Sequence, residues 1–142
     1  MRRSKSRIFA ACVALALGAT PAVSAEAFMY ECDMADASRS QGWISPKIAL
    51  IFAKDGSVKA VDAVILHFAG GPIKGTVLRN NASRAVVKWT VKGAKADNGT
   101  SFADFDYRAS IGKKSGKVDL TAIPHGYDKG LRSGGSCKKR TG

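Results

Sequence analysis

The feature that most constrains this chain is an alternation of period two. Arg84–Val91 reads Arg-Ala-Val-Val-Lys-Trp-Thr-Val, with Ala85, Val87, Trp89 and Val91 on one side and Arg84, Val86, Lys88 and Thr90 on the other. Three of the four outer positions are polar, which predicts a strand with one buried face. Trp89 is the largest apolar group available to anchor that face, and its indole N–H requires a partner when buried.

Strands with the same rhythm are predicted on either side. Residues 27–32 place Phe28, Tyr30 and Cys32 on one face, and a polar loop follows to Pro46, with Trp43-Ile44 folding back onto the sheet. The nearly continuous apolar run of residues 47–53 predicts a strand covered on both faces. Asp55-Gly56 then supplies a hairpin turn, and residues 58–68 form the return strand, with His67 among Val61, Ala63 and Ile65. Residues 76–78 make a short strand. Ala103, Phe105, Tyr107, Ala109 and Ile111 alternate with polar neighbours, and residues 113–116 turn the chain into a last alternating run through Val118, Leu120 and Ala122. The Gly-rich remainder, residues 125–142, reads as an irregular basic tail. No stretch after residue 25 carries a helical stripe. The expectation is a single all-β domain over residues 26–142: an antiparallel β-sandwich or small β-barrel of about six to eight strands.

The first 25 residues read differently. Arg2, Arg3, Lys5 and Arg7 precede an apolar Ala/Leu-rich run that is too short to span a bilayer as an ordinary helix, and Val23-Ser24-Ala25 supplies small residues. This is the pattern of a secretory signal peptide cleaved after Ala25. Ser4-Lys5-Ser6 argues against a twin-arginine variant, and Phe9-Ala10-Ala11 before Cys12 is a poor lipoprotein signal. The Ala-rich style is bacterial, which places the mature chain in the periplasm or outside the cell. Asn81-Ala82-Ser83 and Asn98-Gly99-Thr100 match glycosylation sequons, which matter only in a eukaryotic secretory pathway.

Removing 25 of the 142 residues leaves 117, enough for one modest core. Four of the 23 basic residues and none of the 11 acidic ones leave with the leader, so 19 stand against 11, a mature balance of +8. That balance favours anionic partners, among them anionic lipid, lipopolysaccharide and acidic polysaccharide, and equally serves solubility. Cleavage also removes Cys12. It leaves Cys32 and Cys137, an even pair in an oxidising compartment and 105 positions apart. A bridge between them would close nearly the whole domain and contribute at most roughly 4–5 kcal/mol in the chain-entropy account.

The residues carry little that reads as chemistry. His67 and His125 lack a cysteine or carboxylate at metal-ligand spacing, and no metal or cofactor is expected. Asp104 and Asp106 share a strand face, but Arg108 continues it, and ion pairing with Lys113 or Lys117 across the hairpin explains them without catalysis. The basic residues say more. Arg84, Lys88 and Lys92 share one outward face with Val86; Lys113, Lys114 and Lys117 crowd one turn; Lys138, Lys139 and Arg140 follow the last cysteine. Together they are candidates for binding an anionic partner. Nucleic acid is disfavoured, because the outward faces lack aromatics at a stacking period.

The leading expectation is a non-enzymatic secreted or periplasmic protein that meets anionic envelope components through these cations. A lipocalin-like carrier is the alternative, holding a small apolar ligand among Trp43, Phe52, Phe68, Trp89, Phe105 and Tyr107. Against it, a domain this small needs those rings for its core. A positive balance also counts against an inhibitor aimed at a basic lysozyme. A hydrolase-type enzyme is third, and would need His67 or His125 within hydrogen-bond reach of Asp104 or Asp106 in a cleft.

Overall fold

Eight strands follow one another around a closed antiparallel barrel, each paired with its neighbours in sequence and the last with the first. They are β1 (Phe28–Met34), β2 (Lys47–Phe52), β3 (Val58–Asp62), β4 (Ile73–Asn80), β5 (Arg84–Val91), β6 (Phe105–Gly112), β7 (Lys117–Pro124) and β8 (Leu131–Thr141), with a 3-10 turn at Ala37–Ser40 after β1 and an α-helix, α1 (Ala63–Ala69), between β3 and β4. The structure, a computed structural model, describes residues 25–94 and 104–142. The leader residues 1–24 and the Asn98 sequon lie outside that range. Among the described residues, no helix is long and apolar enough to cross a membrane.

The strands form where alternation lets one face fill the barrel. On β6, Phe105, Tyr107, Ala109 and Ile111 are buried between exposed or half-buried partners; on β7, Val118, Leu120 and Ala122 do the same. Trp89 pairs in register with Tyr107, and their rings stack at 5.6 Å between centroids. The Trp89 ring is 3 % exposed, and its indole nitrogen is buried without a hydrogen-bond partner. Closure removes the open sheet edges that a sandwich would leave.

Several expectations are corrected. The run 58–68 is not one strand: it bends at Asp62, whose side chain accepts from the Ile65 N–H at 2.7 Å and caps α1. Gly70 ends the helix in the left-handed region, φ 75°. Two turns are too short to show a periodic stripe, and Val61, Ala63, Ile65 and His67 happen to alternate. His67 is therefore an exposed helix residue, set edge-to-face on Phe68 at 4.7 Å, rather than a member of a return strand beside Val61, Ala63 and Ile65. Residues 47–53 are covered on one face only, with Ile51 37 % exposed, because a single closed sheet has no outer layer. The short strand at 76–78 is part of the eight-residue β4. Most of the supposed irregular tail is β8, the strand that closes the barrel.

Antiparallel connectivity gives the barrel two different ends. The turns 53–57, 81–83 and 113–116 and both chain ends of the barrel lie at one, here called the hairpin end. The other carries α1 and the segment 35–46, where Trp43 stacks on Phe105 at 4.4 Å and Ile44 is 2 % exposed. Ser40, also buried, holds this plug: its Oγ donates to the Ala37 carbonyl and accepts from the Ile44 N–H at 2.9 Å.

Candidate functional site

The hairpin end is built from short turns, each held by its own polar side chain. Asp55 Oδ1 accepts from the Ser57 N–H and hydroxyl, and these bonds hold its carboxyl below the usual range. Asn81 Oδ1 accepts from the N–H groups of Ser83 and Arg84. The N–H of Lys113 donates to the Ser83 carbonyl at 2.9 Å, so the second and third turns are tied together. Arg84 Nη1 donates to Ser110 Oγ at 2.6 Å beside that junction.

Charge is distributed unequally between the ends. The three hairpin turns carry Lys54, Lys113 and Lys114 against one acid, Asp55. Among the described residues that connect strands at the plugged end, Arg39, Lys92 and Lys129 are balanced by Asp36, Asp104 and Asp128. Lys139 joins the hairpin end through strand geometry. In β8 it shares the inward side with buried Cys137 and pairs in register with Tyr30. Its ammonium lies over the Phe28 ring, 4.3 Å from the centroid. Phe28 in turn stacks on Phe52 at 4.8 Å.

These residues surround a recess of about 310 Å³ lined by Phe28, Tyr30, Asn80, Lys113 and Lys139, with Gly112, Gly116 and Cys137 as backbone-rich wall. Lys113 Nζ donates to Asn80 Oδ1 at 2.6 Å. Burial raises the Tyr30 phenol above its ordinary value, so its hydroxyl keeps its proton. The lining holds two ammonium groups and no acidic side chain.

The nine basic residues singled out from the sequence therefore do not form one patch. Lys113 and Lys139 line the recess, Lys114 and Arg84 stand beside it, and Lys117 begins β7 on the outer wall. Lys88 lies midway along that wall, directly opposite Arg108 of β6, and Lys92 sits at the plugged end. The alternation of β8 separates Lys139 from its neighbours. Lys138 and Arg140 point to the outside, into a groove of about 430 Å³ shared with Glu31, Asp33 and Lys47. Charges there are largely satisfied: Arg140 Nε meets Glu31 Oε2 at 3.0 Å, and Lys47 Nζ meets Asp33 Oδ1 at 2.6 Å. Phe28, Tyr30 and Asn80 were missed, and Lys139 was misplaced, because the tail was not read as a strand. Val86 is outward-facing yet 3 % exposed and offers no apolar contact surface.

The acidic pair behaves differently from the expected ion pairing. Lys113 and Lys117 stand at the far end of the β6–β7 hairpin, out of line with Asp104 and Asp106. Asp104 Oδ1 accepts from the Gly93 N–H, and Asp106 lies between the Thr90 hydroxyl at 2.6 Å and His125 Nε2 at 2.7 Å. His125 thus has a carboxylate partner that its sequence neighbourhood did not reveal. The carboxylate, not the imidazole, receives the Thr90 hydroxyl, so the order is not that of an activated nucleophile. Both partners are about half exposed on the outer wall. Among the described residues, no three His, Cys, Asp or Glu side chains are grouped to hold a metal.

The six aromatics proposed as a carrier lining are all engaged with other rings, five of them with one another and Phe52 with Phe28 and Tyr30. Trp43 packs between Phe105 and Phe68, Trp89 stacks on Tyr107, and Phe52 is buried beneath Phe28. Comparison with protein-family models, with curated proteins and with solved structures finds no match for this chain.

Proposed function

We propose that this chain is a non-enzymatic binding barrel, exported to the periplasm or beyond, that docks on anionic components of the cell envelope through its hairpin end. The observation that carries the reading is the concentration of Lys54, Lys113, Lys114 and Lys139 at one end, where the turns hold the single acid Asp55, while the connecting charges of the described residues at the other end cancel. Such an asymmetry orients a protein on a negative surface as well as attracting it. Export is supported by the leader-like residues 1–25 and by the Cys32–Cys137 disulfide, a bond that persists in oxidising compartments. The carrier alternative is less favoured because each of its six rings is packed against another aromatic ring.

The test uses protein recovered after export and vesicles of phosphatidylcholine alone or with phosphatidylglycerol or lipopolysaccharide, across a salt series. Binding is expected only to the anionic vesicles and is expected to fall as salt rises. Lys113→Glu with Lys114→Glu weakens it by at least about tenfold, whereas Lys92→Glu with Lys129→Glu, the same charge change at the plugged end, changes it by less than about threefold. Equal losses from both pairs would reduce the effect to net charge, and no binding at low salt would sink the reading.

A further inference from the structure

The recess at the hairpin end has a chemistry more specific than general attraction to negative surfaces. Two ammonium groups border one space of about 310 Å³, the lower end of the size range of small-ligand pockets. Lys139 is positioned by the face of Phe28, and Lys113 by Asn80 Oδ1. Because that amide oxygen accepts from Lys113, the Asn80 NH₂ is left as a donor directed elsewhere. The phenol of Tyr30, kept protonated by burial, adds another donor. No carboxylate among the lining residues competes for these groups. The outer-wall groove beside β1 and β8 lacks this character, since its cations are largely paired with Glu31 and Asp33.

We infer that the recess is a binding site for a phosphomonoester group, held between Lys113 and Lys139 with Asn80 and Tyr30 as neutral donors. The inference rests on the reading that the hairpin end meets anionic partners, and it names the group recognised there. A phosphomonoester carries close to two negative charges near neutral pH, which two ammonium groups match. A phosphodiester carries one and presents fewer free oxygens. The aromatic and glycine wall leaves room for the small polyol or sugar that carries the phosphate. The same group occurs on lipid headgroups and on soluble metabolites, and the experiment separates these sources.

Binding of the exported protein is compared on vesicles containing phosphatidic acid, a phosphomonoester, and phosphatidylglycerol, a phosphodiester, with fractions adjusted to equal surface potential. In parallel, glycerol 3-phosphate is titrated into the protein while the backbone amides of Phe28, Gly116 and Lys139 are followed by NMR. Phosphatidic acid is expected to bind about tenfold more tightly, and the three amides to shift together. Lys139→Met, which keeps the aliphatic stem over Phe28, weakens binding to phosphatidic acid by far more than binding to phosphatidylglycerol, so the preference is lost; an unchanged melting profile confirms that it folds, and an equal loss on both vesicles would overturn the pocket. Displacement from phosphatidic acid by glycerol 3-phosphate identifies the isolated group as sufficient, whereas a preference without displacement identifies the lipid headgroup as the source. Equal binding to both anionic vesicles, with no amide shifts, overturns the pocket and leaves docking at the hairpin end standing. Amide shifts without binding to either vesicle would keep the pocket and remove the docking reading. Failure of every arm removes both.

Discussion

The hydroxyl of Tyr107 donates to the main-chain carbonyl of Trp43 at 2.7 Å, across 64 positions of sequence. This bond joins the wall of the barrel to its plug, and the Trp43 ring stacked on Phe105 lies in the same contact. Burial, followed by the neighbouring Asp62 charge, holds the Tyr107 phenol well above its usual range, so it stays a donor. Tyr107→Phe keeps the stacking on Trp89 but leaves that carbonyl without its partner. A loss of about 1–2 kcal/mol is expected from the urea midpoint, with hydrogen exchange accelerated at Ser40–Ile44 before it changes in β6. A uniform change in exchange would show that plug and wall unfold as one unit.

Cys32 and Cys137 are register partners on β1 and β8, so their disulfide crosses the seam where the first and last strands close the barrel. Replacing both by alanine is expected to lower stability by about 2–5 kcal/mol. The eleven-residue β8 retains its backbone pairing with β1, so the far-UV circular dichroism of the variant at low temperature should match that of the parent. A seam that opens without the bridge would instead appear as lost strand signal before the main melting transition.

The strands legible in the sequence are those whose inward and outward residues differ in chemistry. Phe105, Tyr107, Ala109 and Ile111 against Asp106, Arg108 and Ser110 left one reading, and β5 and β7 were equally plain. What escaped was decided by other forces. Helix α1 depends on one capping bond from Asp62 rather than on periodicity. Strand β8 runs through Ser133, Gly134, Gly135 and Ser136, whose small side chains give no alternation, so pairing on both sides rather than composition makes it a strand. The candidate site suffered from the same gap. With β8 unread, Lys138, Lys139 and Arg140 looked like one cluster, although the pleat sends only Lys139 toward Phe28. The pairing of Asp106 with His125 was likewise hidden, because a loop residue returns to a strand 19 positions away.

Gly135 shows why composition misleads there. A Cβ at this position would meet the Asp33 carbonyl oxygen and the Met34 Cα on the adjoining strand. These are backbone atoms, with no flexible side chain to yield. Gly135→Ala is therefore expected to push β8 away from β1 and destabilise the barrel by about 1–3 kcal/mol, the usual range for overpacking. Gly134→Ala is the comparison, since its nearest contact, the Val118 carbonyl, lies at 3.9 Å. The two variants should differ clearly in melting temperature, and equal behaviour would show that the seam adjusts freely.

Asp62 presents a cost whose sign can be read from pH. The residue is 5 % exposed; Oδ1 caps α1 through the Ile65 N–H, while Oδ2 is left without a well-formed hydrogen bond. Burial raises its carboxyl above the ordinary carboxylate range, outweighing the opposing influence of Ile65, Ser45 and Val64. The folded protein therefore takes up this proton more readily than the unfolded chain does. The stability so gained is fully present below the unfolded carboxyl's value, about 3.9, and is lost as pH rises through the higher folded value. Asp62→Asn keeps the capping oxygen and carries no charge at any pH. Its urea midpoint is expected to exceed that of the parent at pH 7, with the gap narrowing as the pH falls toward about 4. A variant less stable at pH 7 would mean that the negative charge at the start of α1 gains more from the helix dipole than its burial costs. Because Tyr107 senses the same charge, the variant should also titrate its phenol at lower pH, which ultraviolet difference absorbance would detect.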